Sequence, residues 1–202
     1  MAGTQRPAIT VMLINLLKYL NDIQPLAPEL RTVLERELEV VEVPKKTLLL
    51  KDGQRCDYVY VVLQGLLRMY YIKDGEEICS RFMEEGHMCI SVYSFFSRNI
   101  GYEYIETLEN CTMARIHYDT LQRIYKTHPE FNFNIRVVTE QYFIRSEERL
   151  YLLRKHQVDA RYNYFADRYP SLLLRVPLKY IAGFLGTSVE TLSRVRNKLR
   201  HG

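Results

Sequence analysis

Apolar residues along this 202-residue chain fall into four stretches that differ in period. From about residue 9 to 41 they recur at helical spacing in two patterns broken by Pro25 and Pro28, with Leu30, Val33, Leu34 and Leu38 in the second. From about residue 42 to 118 the texture becomes short β-branched and aromatic runs. Residues 47–50 precede the turn signal Lys51-Asp52-Gly53, and runs at 58–63 and 66–72 flank Gly65. Asp74-Gly75 predicts a tight hairpin with a return strand over 77–83. Residues 102–108 and 112–117 add further strands, punctuated by Gly86, Gly101 and Asn110. Many short strands with frequent turns predict a β-roll or sandwich.

Helical periodicity returns at about residues 119–154, with Pro129 near the start of a long helix. Its stripe Phe131, Ile135, Val138, Tyr142, Arg149 and Leu152 fits two uses, packing on its own β-domain or forming a helix–helix dimer seam. The last stretch, from Lys155 onward, is helical with a break at Tyr169-Pro170-Ser171. Residues 172–176 read as a short extended segment, and Pro177 suits the first position of a helix. The expected domains are therefore 1–128, 129–154 and 155–202.

Charge sharpens this division. Residues 153–202 hold ten Lys/Arg against Asp159, Asp167 and Glu190, a net of +7, while the rest of the chain nets −3. Basic charge gathered at one end points to a polyanion partner for that end.

The same end carries the most specific constellation, running from Val176 to Leu199. Leu178, Ile181, Ala182 and Leu185 face inward on one helix, and Ala182 is small where two helices must cross closely. Gly186 supplies the left-handed exit, and Thr187 or Ser188 can cap the next helix. Leu192, Val195 and Leu199 then return at spacings of three and four. This is the helix-turn-helix pattern. Glu190, Thr191, Arg194 and Lys198 lie on its outer face, with Arg196 and Arg200 nearby, suited to base edges and phosphates in a major groove. The competing use of such a helix pair is packing alone.

In this order of elements the chain resembles the cyclic-AMP receptor protein/Fnr (Crp/Fnr) superfamily over about residues 29–199. Gly186-Thr-Ser-Val-Glu-Thr-Leu-Ser-Arg194 and Tyr58-Val-Tyr-Val-Val-Leu-Gln-Gly-Leu-Leu-Arg68 carry the likeness. The resemblance implies an α+β fold: an N-terminal cyclic-nucleotide-binding-like β-roll (jelly roll), a long dimerisation helix and a C-terminal helix-turn-helix domain. It also implies a homodimer on approximately palindromic double-stranded DNA, RNA polymerase as a further partner, and a small-molecule effector. By the same resemblance Glu190 and Arg194 contact bases, and Thr187, Ser188 and Thr191 contact phosphates. Val189 stands where some relatives have a base-reading arginine. Relatives continue into a β-hairpin wing after the recognition helix, so the wing is expected to be reduced or absent here.

The nucleotide site does not carry over. Relatives hold the ribose hydroxyl with a Gly-Glu pair and the cyclic phosphate with an arginine about ten residues later. Ile90 and Ser91 replace Gly-Glu, Glu103 stands near the second position, and Arg98 lies a few residues early. Tyr70, Phe82, Ile90, Ser91, Arg98 and Tyr104 are the candidate pocket residues. The aromatic character of this region, with Tyr71, Met83, Tyr93, Phe95 and Phe96, fits three readings: plain core packing, an apolar pocket for an uncharged or aromatic effector, or a dimer scaffold that senses nothing.

Other chemistry finds little footing. The branch with an N-terminal cysteine cluster is excluded because no cysteine precedes Cys56. Cys56, Cys79, Cys89 and Cys111 are too scattered for a zinc or redox motif, and read as small buried hydrophobes. His87, His117, His128, His156 and His201 include no closely spaced pair for a catalytic metal, and no nucleophile elbow or phosphate-cradling loop occurs. No cofactor, metal site or enzymatic activity is expected. The alternative to a DNA regulator is a sensing module acting through a protein partner. The start of the chain lacks the features of a signal peptide, and residues 9–20 are too short to span a bilayer, so a cytoplasmic protein without membrane contact is expected.

A phosphate facing Glu103 without a paired cation is strongly disfavoured. Calorimetric titration with cyclic AMP is therefore expected to give no saturable heat at micromolar concentration, and tight saturable binding would overturn this expectation.

Overall fold

The computed structural model describes residues 5–154 and 157–201. Lys155 and His156 lie outside the described residues, as do the side chains of Leu199, Arg200 and His201. Backbone contacts divide the chain into two compact units, Met1–Arg68 with Phe82–Tyr142, and Met69–Arg81 with Phe143–Gly202.

The first unit opens with α1 (Gln5–Ile23) and α2 (Pro28–Glu37). Pro28 is tolerated in the first turn of α2 because that N–H has no intrahelical partner anyway. Leu17 and Leu20 of α1, and Leu30 and Leu34 of α2, are buried. β1 (Glu39–Val43), β3 (Tyr58–Gln64), β6 (Met88–Cys89) and β8 (Cys111–His117) form an antiparallel sheet in the order β1-β8-β3-β6. A second sheet has the order β2-β7-β4-β5, built from β2 (Leu48–Leu50), β7 (Tyr104–Thr107), β4 (Leu67–Lys73) and β5 (Glu76–Met83). Two short helices, α3 (Val92–Ser97) and α4 (Tyr118–Thr127), complete the roll. Val59, Val62, Leu66, Leu67, Ile105, Met113 and Ile116 are all buried, and since Val59 and Val62, like Met113 and Ile116, lie three apart, β3 and β8 have covered side chains on both faces.

One ion pair is sealed into this core. The Arg68 side chain is 3% exposed, and its Nε and Nη2 donate to Glu106 Oε2 at 2.7 and 2.6 Å. Thr107 Oγ1 donates to Pro44 O at 2.7 Å and accepts from Thr47 N at 2.8 Å, which pins the start of β2 against β7. All four cysteines are buried and form no disulfide, as expected of small apolar fillers. Burial pushes the Cys56 and Cys111 thiols above their ordinary range.

The second unit contains the tip of the β4–β5 hairpin. Asp74 and Gly75 both take positive φ, 53° and 81°, the primed turn that Asp-Gly favours. It also contains α6 (Val158–Arg168), α7 (Leu172–Arg175), α8 (Leu178–Leu185) and α9 (Val189–His201). Two sequence expectations change here. Residues 172–175 form a helical turn rather than an extended segment, and only Val176 is extended, at φ −104° and ψ 129°. The reason is local: the proline ring restricts only the residue before it, while Leu172 is buried by turning inward. Pro177 is the cap of α8, one position earlier than expected.

The long helix α5 (Phe131–Arg154) begins just after Pro129, and its two faces are both apolar. Phe131 and Leu152 are buried, and Ile135, Val138, Tyr142 and Arg149 are half-buried, so the stripe read from the sequence packs within the chain. Phe143, Ile144, Leu150 and Tyr151 are exposed instead, as two rows with heptad spacing. Phe133 is exposed as well. Among the described residues no helix is long and apolar enough to cross a membrane.

The Arg68–Glu106 pair sets a stability expectation. Glu106→Ala removes the carboxylate half of a buried ion pair, a change that costs about 3–5 kcal/mol. Denaturant unfolding should show a fall in midpoint of that size, and an unchanged midpoint would show that the pair is replaceable.

Candidate nucleic-acid interface

The helix-turn-helix is formed within the second unit by α8 and α9. Ile181, Ala182, Phe184 and Leu185 of α8 are buried, and so are Leu192 and Val195 of α9. Leu178 is half-buried at the outer end of the same face. Gly186 ends α8 in the left-handed region at φ 63° and ψ 47°. The amide of Gly186 donates to Gly183 O at 3.3 Å, and that of Thr187 to Ala182 O at 3.0 Å, so the last carbonyls of α8 are satisfied as the chain turns. Ser188 then caps α9, its Oγ accepting from Thr191 N at 3.1 Å.

Past this cap the polar side chains gather. Glu190 and Arg194 are exposed on α9 and Thr191 is half-buried between them. Arg194 Nη2 donates to Thr191 Oγ1 at 3.3 Å, and Ser188 Oγ to the same oxygen at 3.1 Å. The Glu190 carboxyl is held below its ordinary range, first by its own backbone N–H at the helix start, then by the Ser188 hydroxyl and the charge of Arg194. The start of α9 therefore presents an ionised carboxylate, a hydroxyl and a guanidinium side by side, donors and acceptors that match base edges. Val189 is 38% exposed next to them, an apolar surface where a side chain could meet a thymine methyl. Thr187 is half-buried and Ser188 exposed at the turn. Lys198, two turns further on, lies 3.5 Å from Asp159 Oδ2 of α6, so its charge is partly spent within the chain.

The candidate pocket residues are less united. Ile90 and Ser91 are buried at the start of α3, and Ser91 Oγ donates to Glu103 Oε2 at 2.5 Å. Phe82 and Tyr104 are half-buried in the first unit, whereas Tyr70 is buried in the second. Arg98 is fully engaged: Nη1 donates to Cys56 O at 2.9 Å and Phe95 O at 3.3 Å, and Nη2 to Asp57 Oδ1. Its guanidinium lies 3.9 Å from the centre of the Tyr118 ring. Recruiting Arg98 to a phosphate would leave Asp57 and two carbonyls unmatched, and Glu103 would face the anion. These residues do not fit a cyclic nucleotide. Among the described residues no group of three His, Cys, Asp or Glu could hold a metal ion.

Sequence reading missed an aromatic block behind the interface. Phe165 of α6 and Phe184 of α8 have ring centres 5.5 Å apart, and Tyr169 packs 5.4 Å from Phe165. The only signal for it was the spacing of four between Phe165 and Tyr169. Arg149 stacks 4.9 Å over Phe184, a contact that local pattern could not show.

Residues 40–128 match the family model of the cyclic nucleotide-binding domain. A regulator assigned to the Crp/Fnr family from Eubacterium rectale superposes with a TM-score of 0.72 at 21% identity, covering 91% of this chain and 88% of that one. The c-di-GMP-responsive global regulator CLP of Xanthomonas campestris gives 0.69 at 19% identity, covering 86% and 92%. FixK2 of Bradyrhizobium japonicum gives 0.68 at 16% identity, covering 81% and 84%. No curated protein sequence is a significant match. With its β-roll, long helix and helix-turn-helix in that order, the chain shares the fold of these solved regulators, and its residues 40–128 match the cyclic nucleotide-binding domain model.

Proposed function

We propose that the chain is a homodimeric, sequence-specific DNA-binding transcription regulator whose effector, if it has one, is not cyclic AMP. The observation that carries this reading is the start of α9: a glycine turn and serine cap fix a helix that presents Glu190, Thr191 and Arg194 together. In this reading Glu190 and Arg194 read base edges, Val189 adds an apolar contact, and Thr187, Ser188, Thr191 and Lys198 lie along the phosphates. Ser188 serves first as the cap, since its Oγ accepts from Thr191 N. A two-fold dimer reads an approximately palindromic operator, and RNA polymerase is the expected downstream partner. The chain then acts by binding and not by catalysis.

The exposed rows on α5 are the dimer surface in this proposal. Phe143 and Leu150 form one row and Ile144 and Tyr151 the other, exposed apolar positions repeated every seven residues. The seam is thus the face opposite the stripe that the sequence suggested. Ile144→Glu places a charge in the middle of it and is expected to give a monomer by sedimentation. A variant that stays dimeric would move the seam elsewhere.

Binding to DNA is tested on the protein's own promoter region by gel shift. Affinity should fall steeply as salt rises, because basic contacts release counterions. Arg194→Ala should lose about 1–3 kcal/mol of operator preference while keeping the fold. Retained operator selectivity in that variant would remove Arg194 as a base reader. Indifference of the wild-type protein to DNA would favour the reading in which the helices engage a protein partner.

A further inference from the structure

We propose that residues 51–57 and 91–103 of the β-roll form a docking platform for a second copy of this chain, separate from the α5 seam, so that dimers join into larger assemblies. The platform lies wholly within the first unit, and none of its residues belongs to the helix-turn-helix. Three observations support it: four exposed apolar side chains, a frame that fixes them, and a rim of balanced charge.

Tyr93, Phe96, Ile100 and Tyr102 are 50%, 56%, 66% and 58% exposed. Tyr93 and Phe96 stand one turn apart on α3, and the Tyr93 and Tyr102 rings have centres 6.0 Å apart. Ile100 and Tyr102 flank Gly101, where a Cβ would lie 3.0 Å from Ser94 Cβ of α3. The missing side chain lets the loop lie on the helix, and the two neighbours of Gly101 face outward. Large apolar side chains grouped in water mark a contact surface, as scattered ones do not. The backbone beneath them is tied at several points. Ser94 Oγ accepts from Cys56 N at 2.9 Å and donates to Asn99 O at 2.7 Å. Gly53 N donates to Gly101 O at 3.1 Å, and Gly101 N to Gln54 O at 3.0 Å. Arg98 closes the frame at φ 60°, a conformation that side chains resist, held by its bonds to Cys56 O, Phe95 O and Asp57. A surface fixed in advance loses little freedom on binding.

Charge selects the occupant. The platform segments hold Lys51, Arg55 and Arg98 against Asp52, Asp57 and Glu103, three of each sign. Arg55 Nε lies 3.3 Å from Asp57 Oδ1, Arg98 shares that carboxylate, and Glu103 accepts from Ser91 Oγ. Lys51 and Asp52 stand side by side and exposed. A rim without net charge does not attract an anionic bilayer or a phosphate backbone, each of which is bound through an excess of Lys and Arg. Nor does it steer a strongly acidic or basic protein. A copy of the same surface does fit. Across a two-fold axis apolar side chains meet apolar ones, and Lys51 can meet Asp52 of the other copy. Such a contact is saturated by one copy, and four exposed side chains make it small and weak. On the DNA-binding reading above, dimers joined in this way bring two operators together.

Sedimentation velocity of the full chain across a range of concentrations, without DNA, is the test. The wild type should be a dimer when dilute and form larger species as concentration rises. Phe96→Glu should stay dimeric throughout, its further association weakened by about 10–100-fold. Ile144→Glu, which breaks the α5 seam, should be a monomer when dilute and a dimer, but nothing larger, when concentrated. The double variant should remain a monomer. Ile100→Glu repeats the test at a second exposed position if Phe96→Glu fails to fold. A wild type that never exceeds a dimer, or larger species that survive both platform substitutions, would overturn the proposal. So would phosphatidylglycerol vesicles that carry down the wild type but not Phe96→Glu while no species exceeds a dimer, which assigns the platform to a lipid surface. The wild type, held on an immobilised duplex selected by it from a random-sequence pool, should also capture a second, labelled duplex. Phe96→Glu should bind the first duplex equally well and capture no second one. If the wild type selects no duplex, the DNA-binding reading falls, and sedimentation still decides whether the platform joins copies.

Discussion

The direction of α9 is set by one residue in a conformation that side chains resist. Gly186 turns the chain through the left-handed region while the last carbonyls of α8 are met by the amides that follow. Everything that α9 displays depends on this turn: its cap at Ser188, the cluster of Glu190, Thr191 and Arg194, and the apolar anchors Leu192 and Val195 that hold it to α8. A bulkier residue at the turn would have to carry strain of its own and would also meet Arg161 and Leu153, each 3.5 Å from where a Cβ would stand. The polar surface of α9 is thus a product of backbone geometry before it is one of side-chain chemistry.

In the β-roll the buried polar groups are matched to one another. Charges that could face a phosphate are spent internally: Arg98 on Asp57 and two carbonyls, Arg68 on Glu106. Ser91 and Glu103 satisfy each other. Such pairs suit a domain whose polar interior is self-contained.

What the sequence could show was whatever is local. The Asp74-Gly75 turn, a cap at Thr187 or Ser188, and the spacing of Ile181, Leu185, Leu192 and Val195 all lie within a few residues of the partners they need, and pattern alone places them. The segment at Leu172–Arg175 was misjudged because the influence of Pro177 extends back only to Val176. The α5 helix defeated periodicity for a different reason: it is apolar on two faces, and no count of spacings tells which face is covered. The approach of Gly183 to Cys79 joins residues a hundred positions apart, and nothing in either neighbourhood announces it. The stacking of Arg149 on Phe184 is likewise a contact made by topology.

The buried cysteines have a practical consequence. With all four sulfurs inside and two of their thiols pushed upward by burial, thiolate is scarce on this protein at neutral pH. Maleimide or nitroxide reagents should pass the native chain slowly, and mild peroxide should leave it reduced. A single cysteine engineered onto the surface would then react far faster than any native one, which makes the unmodified sequence a ready background for distance measurements by fluorescence or spin labels.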